Sequence, residues 1–589
     1  MILNLFVCLN EKQTSMNSSD NSNFESDSEF EDRGNGPTEF RTENGALTLG
    51  TTKDPRVDLF YKTVRNVNEA DLHKYLKASW AASPLDTLRL IFFVRDIRGK
   101  GKGEKRIFQQ AFRWLMDNHP EAVRSASKHI PFYGYYKDWL EIFLGTRYEK
   151  SMLRALAKEL KTDLEVVTGV FPDAPTDKAT QSNDQTTEQT KKKRKGFFSY
   201  IWGSSSNDNN TTTPAPEKVD QKTEEKATTE TEEKDVPRVS VTLAWKYAPT
   251  EGTHYDKGKF AGTVSKLCIL LGMSKKDYRK ASTLMRAHLN VVEGFMCGKK
   301  WDEIDFSKVP SRAMHIYKKA YSKHQPERFG QFLKDVTTGK AKMNTGTLQP
   351  HEIVGQYISN SYVVQGGEKA DVEAQWVSFI SGLEKKGLSF DQSIGVVDTS
   401  GSMGMSDGLP MKVAYSLGLV LAHFCKGPFQ NKWIEFSENA KFHKFPEGSL
   451  LTKLRSIQSI VQSTNLQSVF DLILSVYSMF DVPEEQQIKR IFVFTDGQWN
   501  AMTTHSDLTN FQAIDRKFTE GGYKRHELVF WNVRANTVDF PTELNTPGVA
   551  LVSGFSSDLL QLFLDGGDLN PLSLVLKAVN DPRYERITL

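Results

Sequence analysis

The sequence predicts a multidomain chain in which an all-α helical-repeat domain precedes an α/β domain with a mostly parallel sheet. Three observations carry that expectation. Apolar residues recur at helical spacing through residues 46–165 and again through 240–385, without strand signals. A polar, low-complexity insertion at 166–239 separates the two stretches. From about residue 388, short apolar runs alternate with amphipathic helices, and the remainder, 386–589, reads as βα units. A chain of 589 residues has room for these parts at ~150 residues per domain.

The N-terminal stretch, 1–45, reads as a disordered acidic tail. Between residues 11 and 45, nine acids face three bases, a net charge of −6, too polar to offset chain entropy by burial. Ser26 and Ser28 lie among the acids as phosphorylation candidates, but a solubilising tail is the plainer reading.

In the first helical stretch, Ser83 before Pro84 is an N-cap followed by proline at the first helical position. Leu85, Leu88, Phe92 and Arg95 then follow helical spacing, with Gly99 as the stop. Phe108, Phe112, Leu115 and Met116 mark a second helix that ends before Pro120. In the second stretch, helices are expected at 262–271, 275–296, 310–321, 327–336, 351–359 and 372–383.

The insertion holds KKKRK at Lys191–Lys195, then the apolar island Phe197, Phe198, Tyr200, Ile201 and Trp202. The basic run reads as a nuclear import signal or an acidic-surface contact, or else as a solvated linker charge. With its aromatics it also suits a membrane surface or a docking partner.

In the α/β part, strands are expected at 393–398, 432–436, 490–495, 528–533 and 549–553. Helices are expected at 410–424, 450–461, 466–480 and 510–519. Ligands of such folds sit beyond the carboxyl ends of the strands. Two strands end there in an acid. The first runs into Asp398-Thr399-Ser400-Gly401-Ser402, and the third ends at Thr495-Asp496-Gly497. Between them, Ser463-Thr464-Asn465 precedes a helix on a loop that can reach the same edge. Carboxylates and hydroxyls converging in this way suit a hard cation, Mg²⁺ or another divalent ion. The plainer alternative is that Asp398 and Ser400 cap the next helix.

This set resembles the metal-ion-dependent adhesion site of von Willebrand A domains, which have a Rossmann-like α/β fold. The resemblance implies direct coordination by Ser400, Ser402 and Thr464, and bound waters held by Asp398 and Asp496. Ser463 is adjacent and can substitute for Thr464. It also implies one coordination position left open for an acidic residue of a protein partner.

An enzyme is not expected. Haloacid-dehalogenase phosphatases also place an Asp at a strand end, but their general acid two residues later is Ser400 here. No P-loop motif occurs. Cys8, Cys268, Cys297 and Cys425 show no CxxC spacing, so neither a zinc ribbon nor a disulfide framework is expected. Reduced cysteines, the absence of a secretory signal and the absence of a ~20-residue apolar run predict an intracellular protein, cytoplasmic or nuclear, without a membrane span.

The net charge of +3 excludes a wholesale polycation or polyanion but hides basic segments. Residues 88–106 carry +5 and include Arg95, Arg98, Lys100, Lys102, Lys105 and Arg106. Glycines interleave the bases here, which brings backbone amides towards an anion. Residues 266–286 carry +5 and include Lys275, Lys276, Arg279, Lys280 and Arg286. Residues 312–343 carry +6, and Tyr278, Tyr317, Tyr321 and Phe329 are interleaved. Basic residues beside aromatics suit structured RNA. The alternatives are three solvated helix faces, or a purely protein-binding scaffold whose basic faces touch acidic proteins or its own acidic tail.

A helical array followed by a von Willebrand A domain resembles the Ro ribonucleoprotein (TROVE) family, whose helical ring binds small structured or misfolded RNAs. Similarity is closer to an uncharacterised family known as a domain of unknown function. It is carried by TENGALTLG (42–50), RDIRGKGKGEKR (95–106), the run from Leu284 to Met314, VVDTSGSM (396–403), TNLQSVFDLIL (464–474) and GVALVSGFSSDLLQLFL (548–564). The combined expectation is a non-enzymatic binding protein that holds a protein partner through a metal and RNA through its helices.

Overall fold

Capping residues set the first helices. The Asp54 carboxylate accepts the Arg56 N–H at 2.8 Å and Pro55 opens the helix Pro55–Lys62. The predicted Ser83 cap is present: its hydroxyl accepts the Asp86 N–H, and Pro84 opens Pro84–Arg95. That helix ends at Arg95 rather than running to Gly99. The Asp96 carboxylate accepts the N–H groups of Arg98 and Gly99 and turns the chain away from the helix axis.

The computed structural model describes residues 39–41, 47–169, 240–359, 362–436, 439–457, 465–497, 510–535, 540–564 and 569–589. The acidic tail and the KKKRK run with its aromatic island lie outside these residues. The chain packs as two compact units. One joins the residues up to Asp138 with Lys299–Leu589, and the other is Trp139–Gly298. This partition follows packing, whereas the sequence segments follow periodicity.

The larger unit holds a six-stranded mixed sheet. Its strands are β1 (Ser393–Asp398), β2 (Lys432–Phe436), β3 (Lys441–Lys444), β4 (Arg490–Thr495), β5 (Glu527–Asn532) and β6 (Val549–Ser553), in the spatial order β6-β5-β4-β1-β2-β3. All pairings are parallel except β2 with β3. β1, β2 and β6 are buried along their whole length, as strands covered on both faces must be. The chain leaves β1 towards β2 on one side and returns to β4 on the other. The carboxyl ends of β1 and β4 therefore flank a topological switch point.

The helices before Asp138 share this unit's core. Tyr61 packs against Phe540 with ring centroids 5.7 Å apart, and the Leu49 and Phe540 backbones exchange hydrogen bonds. At the other end of the chain, Arg583 grips Asp96 with two hydrogen bonds, Tyr584 Oη donates to the same carboxylate at 3.0 Å, and Tyr584 stacks on Tyr133.

The smaller unit is helical, built around Glu149–Thr168, Thr263–Leu271 and Lys275–His288. Residues from either side of the insertion meet in its core. Trp245 Nε1 donates to the Leu160 carbonyl at 2.8 Å, and the Thr242 N–H donates to buried Asp163 at 2.9 Å.

Three expectations are corrected. The helix expected over 275–296 breaks at Asn290, whose φ of 49° is left-handed, and restarts at Val292. The helix expected over 351–359 spans only Pro350–Val354 and is followed by a short hairpin, Ile358–Ser359 with Tyr362–Val363. The sheet also gains β3, which the sequence reading leaves out. Among the described residues no helix is long and apolar enough to cross a membrane.

Candidate functional site

β1 delivers Asp398 to the switch point with no exposed surface. Its Oδ1 accepts the Ser400 N–H at 2.9 Å, and its Oδ2 accepts the Thr495 hydroxyl at 2.8 Å. Thr495 is the last residue of β4, and the register of Val397 with Phe494 sets the two strand ends side by side. Gly497 follows Asp496 at φ 80°, a conformation that suits glycine, and its N–H donates to Thr495 Oγ1 at 3.1 Å.

Asp496, also without exposed surface, lies close enough to Asp398 for their charges to interact. Burial first, and then the Asp496 charge, push the Asp398 carboxyl up to about 7; hydrogen bonds from Ser400 and Thr495 oppose the rise. The Ser400 and Ser402 hydroxyls are 3.0 Å apart. Ser400 begins a short 3₁₀ turn without capping it through its side chain, so that hydroxyl is not used as a helix cap. Arg534, two residues past β5, reaches back to Asp496 Oδ2 at 3.2 Å.

Asp398, Ser400, Ser402 and Asp496 thus meet at one sheet edge. Thr464, like Ser463, lies outside the described residues. The donor set is all oxygen, two buried carboxylates and two hydroxyls with one guanidinium, Arg534, at its margin, and this fits a hard divalent cation. Among the described residues no group of three or more His, Cys, Asp or Glu is placed to hold a metal. A site here therefore relies on hydroxyls as well as acids.

The basic candidates scatter. Arg95 is 2% exposed and donates to Asp138 at 2.9 Å, while Lys102 is 1% exposed. Lys102 Nζ donates to the Thr63 carbonyl and hydroxyl and to Ser553 Oγ. Burial holds its pKa well below the usual lysine value. The expectation of an open basic loop is corrected for these two residues, which are buried inside the fold.

Arg98 is exposed, yet it donates to the carbonyls of Phe132 and Gly134. Lys100 pairs with Asp581 at 3.2 Å, Lys105 is half-buried and Arg106 is exposed. Two of the loop glycines, Gly99 and Gly101, sit in close packing, whereas Gly103 takes a left-handed φ of 73°. A Cβ on Gly101 would lie 2.4 Å from the Phe93 carbonyl oxygen. In the smaller unit, Lys275, Lys276 and Arg279 are exposed, with Lys275 and Arg279 both reaching Glu251. Lys280 is half-buried, and Arg286 is spent on the Ala248 and Trp245 carbonyls.

Sequence reasoning missed Thr495 and Arg534. The hydroxyl directly before Asp496 was a usable signal for the first. Nothing local marks Arg534; only the pairing of Thr495 with Asn532 carries it to the site.

Residues 392–582 match a family described as "Domain of unknown function (DUF7788)". The chain is similar to "Uncharacterized protein L728" of Acanthamoeba polyphaga mimivirus, at 29% identity over 557 residues, 91% of this chain and 86% of that protein. The match to "Domain of unknown function (DUF2828)" runs over residues 42–270 and 268–388, more than half of the sequence, and the chain belongs to that family.

Proposed function

We propose that this chain is a non-enzymatic binding protein whose α/β part is a von Willebrand A-like domain that uses Mg²⁺, or another divalent cation, to grip an acidic residue of a protein partner. The observation that supports this reading is the pair of unexposed carboxylates, Asp398 and Asp496, beside the Ser400 and Ser402 hydroxyls at the switch point of one sheet. Ser400 and Ser402 would ligate the ion, with Thr464 completing the set, and Asp398 and Asp496 would hold its waters. The bound ion supplies a Lewis-acidic position for a partner carboxylate. A phosphatase is disfavoured because Ser400 stands where a general acid is needed. Calorimetry of Mg²⁺ into the full chain should give saturable binding that the double variant Asp398→Ala, Ser400→Ala abolishes. Unchanged binding in that variant sinks the reading.

A second, compatible activity is contact with structured RNA, as the arrangement resembling Ro ribonucleoproteins implies. It is favoured by the exposed Lys275, Lys276 and Arg279 in the first turns of one helix. Retention of structured RNA on a filter at low salt, lost steeply as salt rises, is the expected result. No retention at low salt leaves the protein-only scaffold.

A further inference from the structure

We propose that Arg534 is the resident counter-ion of the Asp398–Asp496 pair, and that a divalent cation must displace it to bind. The inference rests on the cation reading above and adds how the site is regulated. The Arg534 backbone is anchored, its N–H donating to Asn532 Oδ1 at 2.8 Å, and Asn532 is buried at the end of β5. From there the side chain crosses the β4 end, bringing Nη1 to 3.2 Å from Asp496 Oδ2. The Arg534 side chain keeps 19% of its surface exposed, whereas Asp496 has none.

On the outer side, Nη2 meets the Met405 sulfur at 3.3 Å, and Met405 is 53% exposed. A thioether is a weak acceptor, so among the described residues the Asp496 carboxylate is the strong acceptor that holds the guanidinium inward. Arg534 is therefore held by the charge a metal ion would take over, on an arm that can swing into solvent. A guanidinium neutralises one charge of the pair and repels an arriving cation, so it sets the ion concentration at which the site fills.

The test compares Mg²⁺ calorimetry on the full chain with R534Q, and follows thermal unfolding of both in chelator and in Mg²⁺. R534Q is expected to bind Mg²⁺ at least about tenfold more tightly. Its midpoint in chelator should fall, because Asp496 loses a partner, and Mg²⁺ should raise that midpoint more than it raises the wild type's. If the wild type binds and R534Q binds equally or more weakly, the counter-ion role is overturned and the metal reading survives. If neither binds, both are overturned. Should R534Q fail to unfold cooperatively, R534K decides. Its shorter point charge should tighten Mg²⁺ binding by a smaller factor, and an affinity equal to wild type overturns the role.

Discussion

Lys102 Nζ donates to Ser553 Oγ across 2.7 Å, tying a glycine-rich loop between two helices to the carboxyl end of β6. Both residues are buried, and Nζ also serves the Thr63 carbonyl and hydroxyl. A lysine in a basic, glycine-rich run is here an internal strut.

Lys102→Met keeps the aliphatic stem but leaves these oxygens without their donor. Urea unfolding should show a loss of about 1–3 kcal/mol. The salt dependence of any RNA binding should not change, because the residue has no surface to offer.

Asp138→Asn tests the buried pair at 2.9 Å with Arg95. Removing one charge strands the other inside the fold, and a loss of about 3–5 kcal/mol is expected in the same assay. A loss below about 1 kcal/mol would mean that Arg95 finds another route to solvent or to a partner.

Thr495→Val removes the hydroxyl donor to Asp398 while preserving shape. The carboxyl should rise further, because one of the bonds that favours its ionised form is gone. Calorimetry at pH 7 should show weaker Mg²⁺ binding than wild type.

His526 is packed edge-on against Phe518 and Tyr477, and its Nε2 has no hydrogen-bond partner among the described residues. Burial lowers its pKa from 6.5 to about 4. The folded state then binds fewer protons than the unfolded state between those values. The stabilisation is complete above about 6.5 and is lost as pH falls towards 4. His526→Phe should remove about 3 kcal/mol of that acid-side loss, read as the difference between the two unfolding curves across this range.

Charge reversal of Lys275, Lys276 and Arg279 together should weaken RNA retention and reduce the salt slope by about three, one per phosphate contact removed. An unchanged slope would locate RNA contact elsewhere or nowhere.

Much of the α/β part was legible because buried strands are continuous apolar runs with sharp ends. β1, β2, β4 and β6 begin and end where the sequence places them. β3 was not, because Lys441–Lys444 is a polar edge strand with little burial to leave a pattern. The candidate site was legible in part, since two strands end in an acid and such ends line up in a parallel sheet. The Arg534–Asp496 pair was not, because it depends on strand order.

By itself, the sequence determined most of the helical and βα segments, the charge of each stretch and the acids at the strand ends, all of which are local properties of spacing and composition. Only the tertiary structure decided which charges face water. Arg95 and Lys102 sit in the same basic run as Arg106, yet the first two are buried and the third is exposed. The difference lies in partners distant along the chain, Asp138 for one and Ser553 for the other. Such a side chain enters a core only where partners pair or hydrogen-bond with it, and no local pattern records where they lie.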